Sequence, residues 1–332
     1  MKNRVLIFML CFILAYAPSA VFAENSDIHI GVLVYNTADT FMMTIVSEIE
    51  RLSDENTRLT VLNSANDQNL QAKQMATLIE ENVDALIINP VDRTSCIYLI
   101  EIAKKSGLPV VFINREPLRE DMESYNNAYY VGTQPQQQGI LCGEIIADYF
   151  MNIPSADKNG DGIIQYVLLK GEEGHQDTYL RSFYCLKALQ DKGIKTQQLG
   201  AESGDWKKTR GQQIMASFLA EFGDSIECVI SNNDDMALGA IDALKAAGYF
   251  SNGNFMPVVG ADATPSALEA LQEGVLLGTV LNDARLQGAA AIEIATLLAR
   301  KQNLDKEKLI FPMQEDRFIW VPSKKYIKPF NN

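Results

Sequence analysis

Closely spaced cysteine pairs are absent from this sequence of 332 residues. Its five cysteines are single and far apart, and none forms a Cys-x-x-Cys pair. Four of them follow the N-terminal segment, at Cys96, Cys142, Cys185 and Cys228. In a chain long enough to bury large cores, isolated cysteines are more often buried free thiols than disulfide partners. We therefore predict four buried thiols, with disulfides as the alternative.

Basic residues are fewer than acidic ones, and the one long apolar run lies near the N terminus. The sequence has 29 Lys and Arg against 42 Asp and Glu, which argues against a nucleic-acid partner. The apolar run Val5–Ala17 follows two basic residues, precedes the small-residue sequence Val21-Phe22-Ala23, and is too short to span a bilayer. We therefore predict a signal peptide over residues 1–23, cleaved after Ala23, and an exported chain.

Short apolar runs alternate with amphipathic helical segments along the rest of the chain. The runs are rich in branched residues and nearly continuous in apolar character, as is typical of strands buried on both faces. Such alternation predicts parallel sheets with right-handed crossovers, and a break near Tyr130–Gln138 divides it in two. The fold class predicted is α/β, with two doubly wound parallel-sheet domains. The candidate strands are Ile28–Tyr35, Leu59–Ser64, Ala85–Asn89, Val110–Ile113, Ile164–Leu169, Thr196–Leu199, Glu227–Ser231, Pro257–Gly260 and Leu277–Leu281.

One loop has the side-chain spacing of a calcium site. Oxygen-bearing residues occupy loop positions 1, 3, 5 and 9, a glycine is at position 6, and position 7 contributes a backbone carbonyl. Position 12 is Leu168 and not the usual acid, so a distant residue would have to complete the shell. The alternative is an ordinary solvated Asn-Gly-Asp-Gly turn. The loop positions are Asp157, Asn159, Asp161, Gly162, Ile163 and Gln165.

Hydrogen-bonding side chains follow six of the candidate strands. In open parallel sheets, ligands bind outside the carboxyl ends of the strands, so these side chains should meet at one site. Carboxylates, amides, an imidazole and a guanidinium beside flat aromatic rings suit a pyranose sugar. Trp206 and Phe41 could equally be core anchors. The polar candidates are Asp39, Asn114, His175, Asp177, Arg181, Asn233, Asp262 and Asn282.

Several stretches together resemble the periplasmic galactose/glucose-binding proteins of bacterial ABC sugar uptake. The similarity extends over essentially the whole chain after the predicted signal peptide. The stretches are Ile30-Gly31-Val32 with Tyr35, Asp39-Thr40-Phe41-Met42, Val110 to Pro117 (VVFINREP), Tyr129 to Thr133 (YYVGT), Gln165 to Glu172 (QYVLLKGE), Ser231-Asn232-Asn233-Asp234 and Thr279 to Asp283 (TVLND).

The resemblance implies a binding protein without catalytic residues. It implies a sugar, D-glucose or D-galactose, held between Phe41 and Trp206, with the eight polar candidates as its contacts. It also implies a structural calcium ion bound by the loop and closed by Glu227. The implied partner is an ABC permease in the periplasm, the chain is expected to be a monomer, and docking to a chemoreceptor stays open.

The resemblance further implies two lobes that close on the ligand about a three-segment hinge, the periplasmic binding protein type I fold. The expected lobes are residues 24–133 plus 282–318, and residues 134–281 plus 319–332. The sequence departs from the family at Asn36-Thr37-Ala38, Glu173 and Gln176, which bears on loop stiffness and affinity more than on ligand class.

Three alternatives stay open at this point. Another small ligand, such as ribose, xylose or a sugar-like signalling molecule, would use the same kind of site. The effector core of a transcription repressor shares the fold, but the predicted signal peptide argues against it. A secreted glycoside hydrolase would use paired carboxylates among Asp39, Asp177 and Asp262, whose amide and aromatic neighbours suit binding better than cleavage.

Overall fold

The computed structural model describes residues 27–251, 253–305 and 307–327, so the predicted signal peptide lies outside the described residues. Within these ranges, no helix combines the length and apolar character needed to cross a membrane. The strands are β1 (Ile28–Val34), β2 (Thr57–Asn63), β3 (Ala85–Ile88), β4 (Val110–Ile113), β5 (Ala128–Gly132), β6 (Ile163–Lys170), β7 (Lys195–Ser203), β8 (Cys228–Ser231), β9 (Val258–Asp262), β10 (Gly278–Leu281), β11 (Phe318–Trp320) and β12 (Lys325–Ile327). The α-helices are α1 (Thr40–Leu52), α2 (Gln68–Glu80), α3 (Cys96–Ser106), α4 (Arg119–Glu123), α5 (Pro135–Asn152), α6 (Gln176–Asp191), α7 (Lys208–Phe222), α8 (Asp234–Ala246), α9 (Pro265–Glu273) and α10 (Ala284–Ala299).

The strands form two separate six-stranded sheets. The first has the order β11-β5-β4-β3-β1-β2, and the second has the order β12-β10-β9-β8-β6-β7. All neighbouring strands are parallel except β12, which runs antiparallel to β10. With their helices, the sheets form a first unit (β1–β5, β11, α1–α4, α10) and a second unit (β6–β10, β12, α5–α9). The predicted fold class of two doubly wound parallel sheets is confirmed.

Burial on both faces explains why the central strands of each sheet are mostly apolar, whereas the edge strands β2 and β7 are partly exposed and more polar. Along β1, Ile30, Val32 and Val34 point into one core of the first unit, whereas Leu33 points into the other. Successive side chains of a strand face opposite sides of the sheet, so a strand between two helical layers carries apolar residues at most positions on both faces. The second unit repeats this arrangement with its own two cores.

The chain crosses between the units three times: after β5, after β10 and after β11. The expected lobes placed the last boundary after Phe318. However, Ile319 and Trp320 pair with Val131 and Gly132 of β5, so that crossing lies between β11 and β12. The backbone of these two residues completes the edge of the first sheet, and the chain leaves it only afterwards.

The four cysteines of the described residues are free and buried, as predicted. Cys142, Cys185 and Cys228 share one core of the second unit, and Cys96 lies in the first unit. Burial raises the pKa of each thiol. These cysteines therefore pack as small apolar side chains.

Candidate functional site

A cavity of about 530 Å³ lies between the carboxyl ends of the two sheets. Both units contribute to its wall, because their strands end on the side where the units face each other. All ten residues predicted to contact a ligand line it. They are Asp39, Phe41, Asn114, His175, Asp177, Arg181, Trp206, Asn233, Asp262 and Asn282.

The start of α1 holds Asp39 and Phe41 at the cavity. Asp39 is the N-cap: its Oδ1 accepts a hydrogen bond from the backbone N–H of Met42 at 3.1 Å. Its Oδ2 accepts from the Tyr35 hydroxyl at 2.6 Å. Phe41 is half-buried and packs against the core of the first unit while it lines the cavity. The carboxylate is thus fixed by two donors and retains acceptor capacity for a ligand.

Asn114 ends β4 in an uncommon backbone conformation. Its φ is +61°, in the left-handed region that asparagine tolerates better than most residues. Its side-chain oxygen accepts from the Asn89 amide at 3.3 Å, and its carbonyl accepts from the Tyr130 hydroxyl at 2.8 Å. These bonds orient the Asn114 side chain, whose amide can donate into the cavity.

His175 caps the N terminus of α6 with its ring. Nδ1 accepts a hydrogen bond from the backbone N–H of Asp177 at 3.1 Å. Burial lowers the pKa of His175 to about 4. The ring is therefore neutral near pH 7, and because Nδ1 accepts, the proton resides on Nε2. His175 presents a neutral donor to the cavity.

Arg181 lies one helical turn after Asp177, and each of its three side-chain nitrogens donates a hydrogen bond within the second unit. Its Nη2 donates to Asp177 Oδ2 at 3.1 Å, its Nε to Gln138 Oε1 at 2.7 Å and its Nη1 to the Asn232 carbonyl at 2.9 Å. The guanidinium is buried, and its position is fixed before any ligand arrives.

Asp262 and Asn282 end the adjacent strands β9 and β10. The Asn282 amide donates to Asp262 Oδ1 at 3.1 Å, and the Asn282 oxygen accepts from Thr133 and Gln287. Burial raises the pKa of Asp262, whereas the nearby Arg181 guanidinium lowers it. Asp262 therefore needs donors around it to stay ionised, which a hydroxylated ligand would supply.

Trp206 sits in the loop after β7, with φ at +64°. Its ring passes directly over Gly171, where an added Cβ would come within 2.0 Å of a ring carbon. The ring meets His175 edge-on at a centroid distance of 5.2 Å. The Asn233 side-chain amide donates to the Trp206 carbonyl at 3.1 Å. The glycine opposite the ring therefore lets the indole lie flat in the cavity wall.

The cavity is also lined by residues that were not predicted as ligand contacts. They include Tyr35, Arg115, Glu172, Asp235 and Lys208. The signal available in the sequence was that these residues lie close in the chain to predicted ligand residues. Whether their side chains turn toward the cavity depends on contacts that no local pattern specifies.

The predicted calcium loop lies before β6, with its residues drawn together by hydrogen bonds. Asp157 accepts from the backbone N–H groups of Gly160 and Gly162, and Glu227 accepts from those of Lys158 and Gln165. The structure therefore brings Glu227, which is remote in sequence, against the loop.

The residues of this loop fit a hard cation. Gln165 Oε1 is buried and has no hydrogen-bond partner within the described structure. The remaining side chains also supply oxygen atoms, which calcium prefers. In the described ranges, no cluster of three or more His, Cys, Asp and Glu side chains is arranged to hold a metal ion. A full shell of oxygen ligands would therefore also need amide and backbone oxygens, which are outside those four residue types. These would come from Asn159, Gln165 and the carbonyl of Ile163.

Comparison with known proteins identifies relatives over most of the chain. A family model described as a periplasmic binding protein domain matches residues 30–303. The D-galactose/methyl-galactoside binding periplasmic protein MglB of Haemophilus influenzae is 39% identical over 304 residues, 90% of each chain. A putative rhizopine-binding protein of Rhizobium meliloti is 31% identical over 259 residues, 77% of this chain and 78% of the relative.

Solved structures share the fold. An ABC transporter solute binding protein from Bacillus halodurans with bound myo-inositol has a TM-score of 0.76 at 26% identity, covering 92% of this chain and 96% of the other. A periplasmic solute binding protein from Actinobacillus succinogenes with bound D-allose has the same TM-score at 20% identity, covering 90% and 97%. At that identity, the second likeness concerns the fold alone.

Proposed function

The chain belongs to the periplasmic binding protein family, and from this membership we propose that it captures a hexose, D-galactose or D-glucose, for an ABC permease. The observation that carries the proposal is the cavity between the two units, where all ten predicted ligand residues meet. The 39% identity to a D-galactose/methyl-galactoside binding protein supports the choice of hexose.

Binding is proposed to occur by hinge closure. The first unit contributes Asp39, Phe41 and Asn114, the hinge contributes Asn282, and the second unit contributes the remaining ligand residues. A sugar can touch both sets only when the units are together, so its differential affinity for the closed form drives closure. The three chain crossings supply the segments that bend.

The chemistry of the cavity supports a neutral polyhydroxylated ligand. Each sugar hydroxyl can donate to a carboxylate such as Asp39 or Asp262 and accept from Arg181 or an amide. Phe41 and Trp206 offer apolar faces for the C–H sides of a pyranose ring. A missing hydroxyl would leave a buried charged group unpaired, so specificity should rest chiefly on the carboxylates and the guanidinium.

The loop before β6 is proposed to hold a structural calcium ion. Its ligands would be Asp157, Asn159, Asp161 and Gln165, the carbonyl of Ile163, and the carboxylate of Glu227, which closes the set. The unpartnered oxygen of Gln165 supports this assignment. The ion would neutralise the loop carboxylates and stabilise the native state by mass action.

The cell compartment and the partners follow from the same reasoning. Members of this family are periplasmic proteins of transport systems, and the N-terminal sequence predicts export. We propose that the mature protein begins after Ala23, acts as a monomer and delivers sugar to a membrane permease. Docking of the closed form to a chemoreceptor is a further proposal, which rests on the family resemblance. The ligand residues are proposed to bind the sugar and not to catalyse a reaction on it.

A cyclic polyol or a pentose is the second candidate ligand. The B. halodurans relative was solved with myo-inositol, and a ribose import binding protein of Bacillus subtilis is 28% identical over 85% of each chain. Both ligand types present several hydroxyls on a small ring, so the same polar groups could hold them.

Thermal denaturation of the mature, ligand-stripped protein with a panel of ligands would test the proposal. The panel contains D-galactose, D-glucose, D-ribose, D-xylose and myo-inositol. A saturable rise in melting temperature is expected with one or both hexoses, because a ligand that binds only the native state stabilises it. A rise with ribose or inositol and none with the hexoses would instead favour the second candidate.

A further inference from the structure

An ion pair joins the two units beside the cavity. Arg115 Nη2 lies 2.6 Å from Glu172 Oε2, and the side chains are 6% and 43% exposed. Arg115 follows β4 in the first unit, whereas Glu172 follows β6 in the second. Of the ion pairs between described residues, this is the one that bridges the units near the cavity. The bridging contacts Thr40–Asp235 and Glu116–Gln176 each pair a carboxylate with a neutral group.

Arg115 is held in place by its own unit. Its Nη1 donates to the Val91 carbonyl at 2.6 Å, and its guanidinium carbon lies 3.9 Å from the centroid of the Tyr35 ring. Both partners belong to the first unit, so these contacts do not require the units to be together. The guanidinium is therefore preformed and loses little freedom when Glu172 reaches it.

Among the described residues, Glu172 has no comparable anchor in its own unit. Its carboxylate accepts a hydrogen bond from Arg115 of the other unit. Because the two residues belong to different units, separation of the units would break the pair and leave Glu172 solvated. A contact made in one of two arrangements alone would shift the equilibrium between them.

We propose that Arg115 and Glu172 form an electrostatic latch that stabilises the closed arrangement independently of the sugar and so sets the affinity for all ligands together. This proposal rests on the proposed function, because it assumes that the units open and close around a ligand. Arg115 and Glu172 are positioning residues here: they act on the equilibrium between open and closed forms and not on one hydroxyl.

Loss of the latch should change ligand affinity in a different way from loss of a residue that contacts the ligand. Loss of the latch should raise the dissociation constants for D-galactose and D-glucose by the same factor, roughly three- to tenfold for a half-exposed pair. The ratio of the two affinities should not change. The effect should be larger at low salt than at about 0.5 M salt, because salt screens partly exposed charges.

Glu172→Gln is the test variant, and Glu173→Gln is its matched control. Glu173 is the next residue, is 69% exposed and pairs with Lys170 of the same unit, so its loss removes the same charge without touching the latch. Calorimetry with both hexoses at both salt concentrations should show the uniform, salt-sensitive loss for Glu172→Gln alone. An equal loss in the control, or a loss confined to one sugar, would overturn the latch.

A variant pair tests whether the two residues act together. If they form one latch, adding Glu172→Gln to Arg115→Gln should not weaken binding beyond the effect of Arg115→Gln alone. Independent, additive losses would contradict the proposal.

Small-angle X-ray scattering of the ligand-free protein tests the latch without any sugar. At low salt, Glu172→Gln should give a larger radius of gyration than both the wild type and Glu173→Gln. If the wild type is compact without sugar, an unchanged radius in Glu172→Gln would overturn the latch whatever the ligand is. If the wild type bound neither hexose, the proposed ligand would fail, but this comparison would still decide the latch.

Discussion

Arg181 and Asp262 lie 3.8 Å apart, Nη1 to Oδ1, in the cavity wall. Both side chains are buried, and they come from different elements of the second unit, α6 and the end of β9. The separation is too long for a direct hydrogen bond, so each group keeps capacity to bond a third. A sugar hydroxyl that accepts from Arg181 and donates to Asp262 would complete this arrangement.

Removal of the Asp262 carboxylate should therefore weaken sugar binding. For Asp262→Ala we expect a loss of about 1–3 kcal/mol or more, because the hydroxyl and Arg181 lose a charged partner. Isothermal titration calorimetry measures the loss, and Asp191→Ala, an exposed change at the far end of α6, is the control. Unchanged affinity in a folded Asp262→Ala protein would remove this residue from the site.

The proposed calcium site predicts a calcium-dependent stability. Wild-type protein should melt at a higher temperature with calcium than with a chelator, since an ion that binds the native state stabilises it. Glu227→Gln should reduce or abolish that difference, whereas Glu221→Gln, an exposed acid at the end of α7, should keep it. Because Glu227 also accepts two backbone hydrogen bonds, the difference and not the absolute melting temperature is the readout. Identical melting with calcium and chelator in the wild type would count against the site.

The position of Trp206 predicts a fluorescence signal. A sugar stacked on the indole changes its surroundings, so emission should change as sugar is added. The second tryptophan, Trp320, stacks on Phe318 at the edge of the first sheet and provides a background. The change should disappear in Trp206→Phe while calorimetry still detects binding. A full signal in that variant would place the indole outside the ligand site.

Burial of His175 predicts a pH-dependent stability. Its pKa of about 4 in the native state lies below the ordinary histidine value of 6.5, so the unfolded chain takes up the proton first as pH falls. Protonation of the unfolded chain should therefore lower the free energy of unfolding as pH falls from 6.5 to about 4, by up to roughly 3 kcal/mol. Urea denaturation of the wild type and His175→Gln from pH 8 to 4 should show their difference shifting against the wild type as pH falls. A constant difference would indicate that His175 does not titrate in this range.

The sequence predicted those features that depend on local pattern. Continuous branched apolar runs gave the positions of most strands to within a few residues, because burial on both faces leaves no other composition. The six strand ends could be recognised for the same reason, because a polar residue that closely follows a buried strand lies at the carboxyl edge of the sheet. They carry Asp39, Asn114, His175, Asn233, Asp262 and Asn282.

Other features depended on contacts far apart in the chain. β5, β11 and β12 were not among the candidate strands: β5 overlaps the break near Tyr130–Gln138 that divided the pattern, and β11 and β12 have three residues each. β11 forms because it pairs with β5, which is remote in sequence. Arg115 and Glu172 are separated by 57 residues and meet only when the units face each other. Their relationship follows from the tertiary structure and has no local sequence signal.

Isothermal titration calorimetry of the mature protein with D-galactose and D-glucose, after removal of endogenous ligand, tests the central claim most directly. We expect saturable one-to-one binding to at least one hexose, with a dissociation constant in the micromolar range or below, about −8 kcal/mol or more favourable. The absence of binding heat with both sugars at several temperatures, in a folded and calcium-loaded sample, would contradict it.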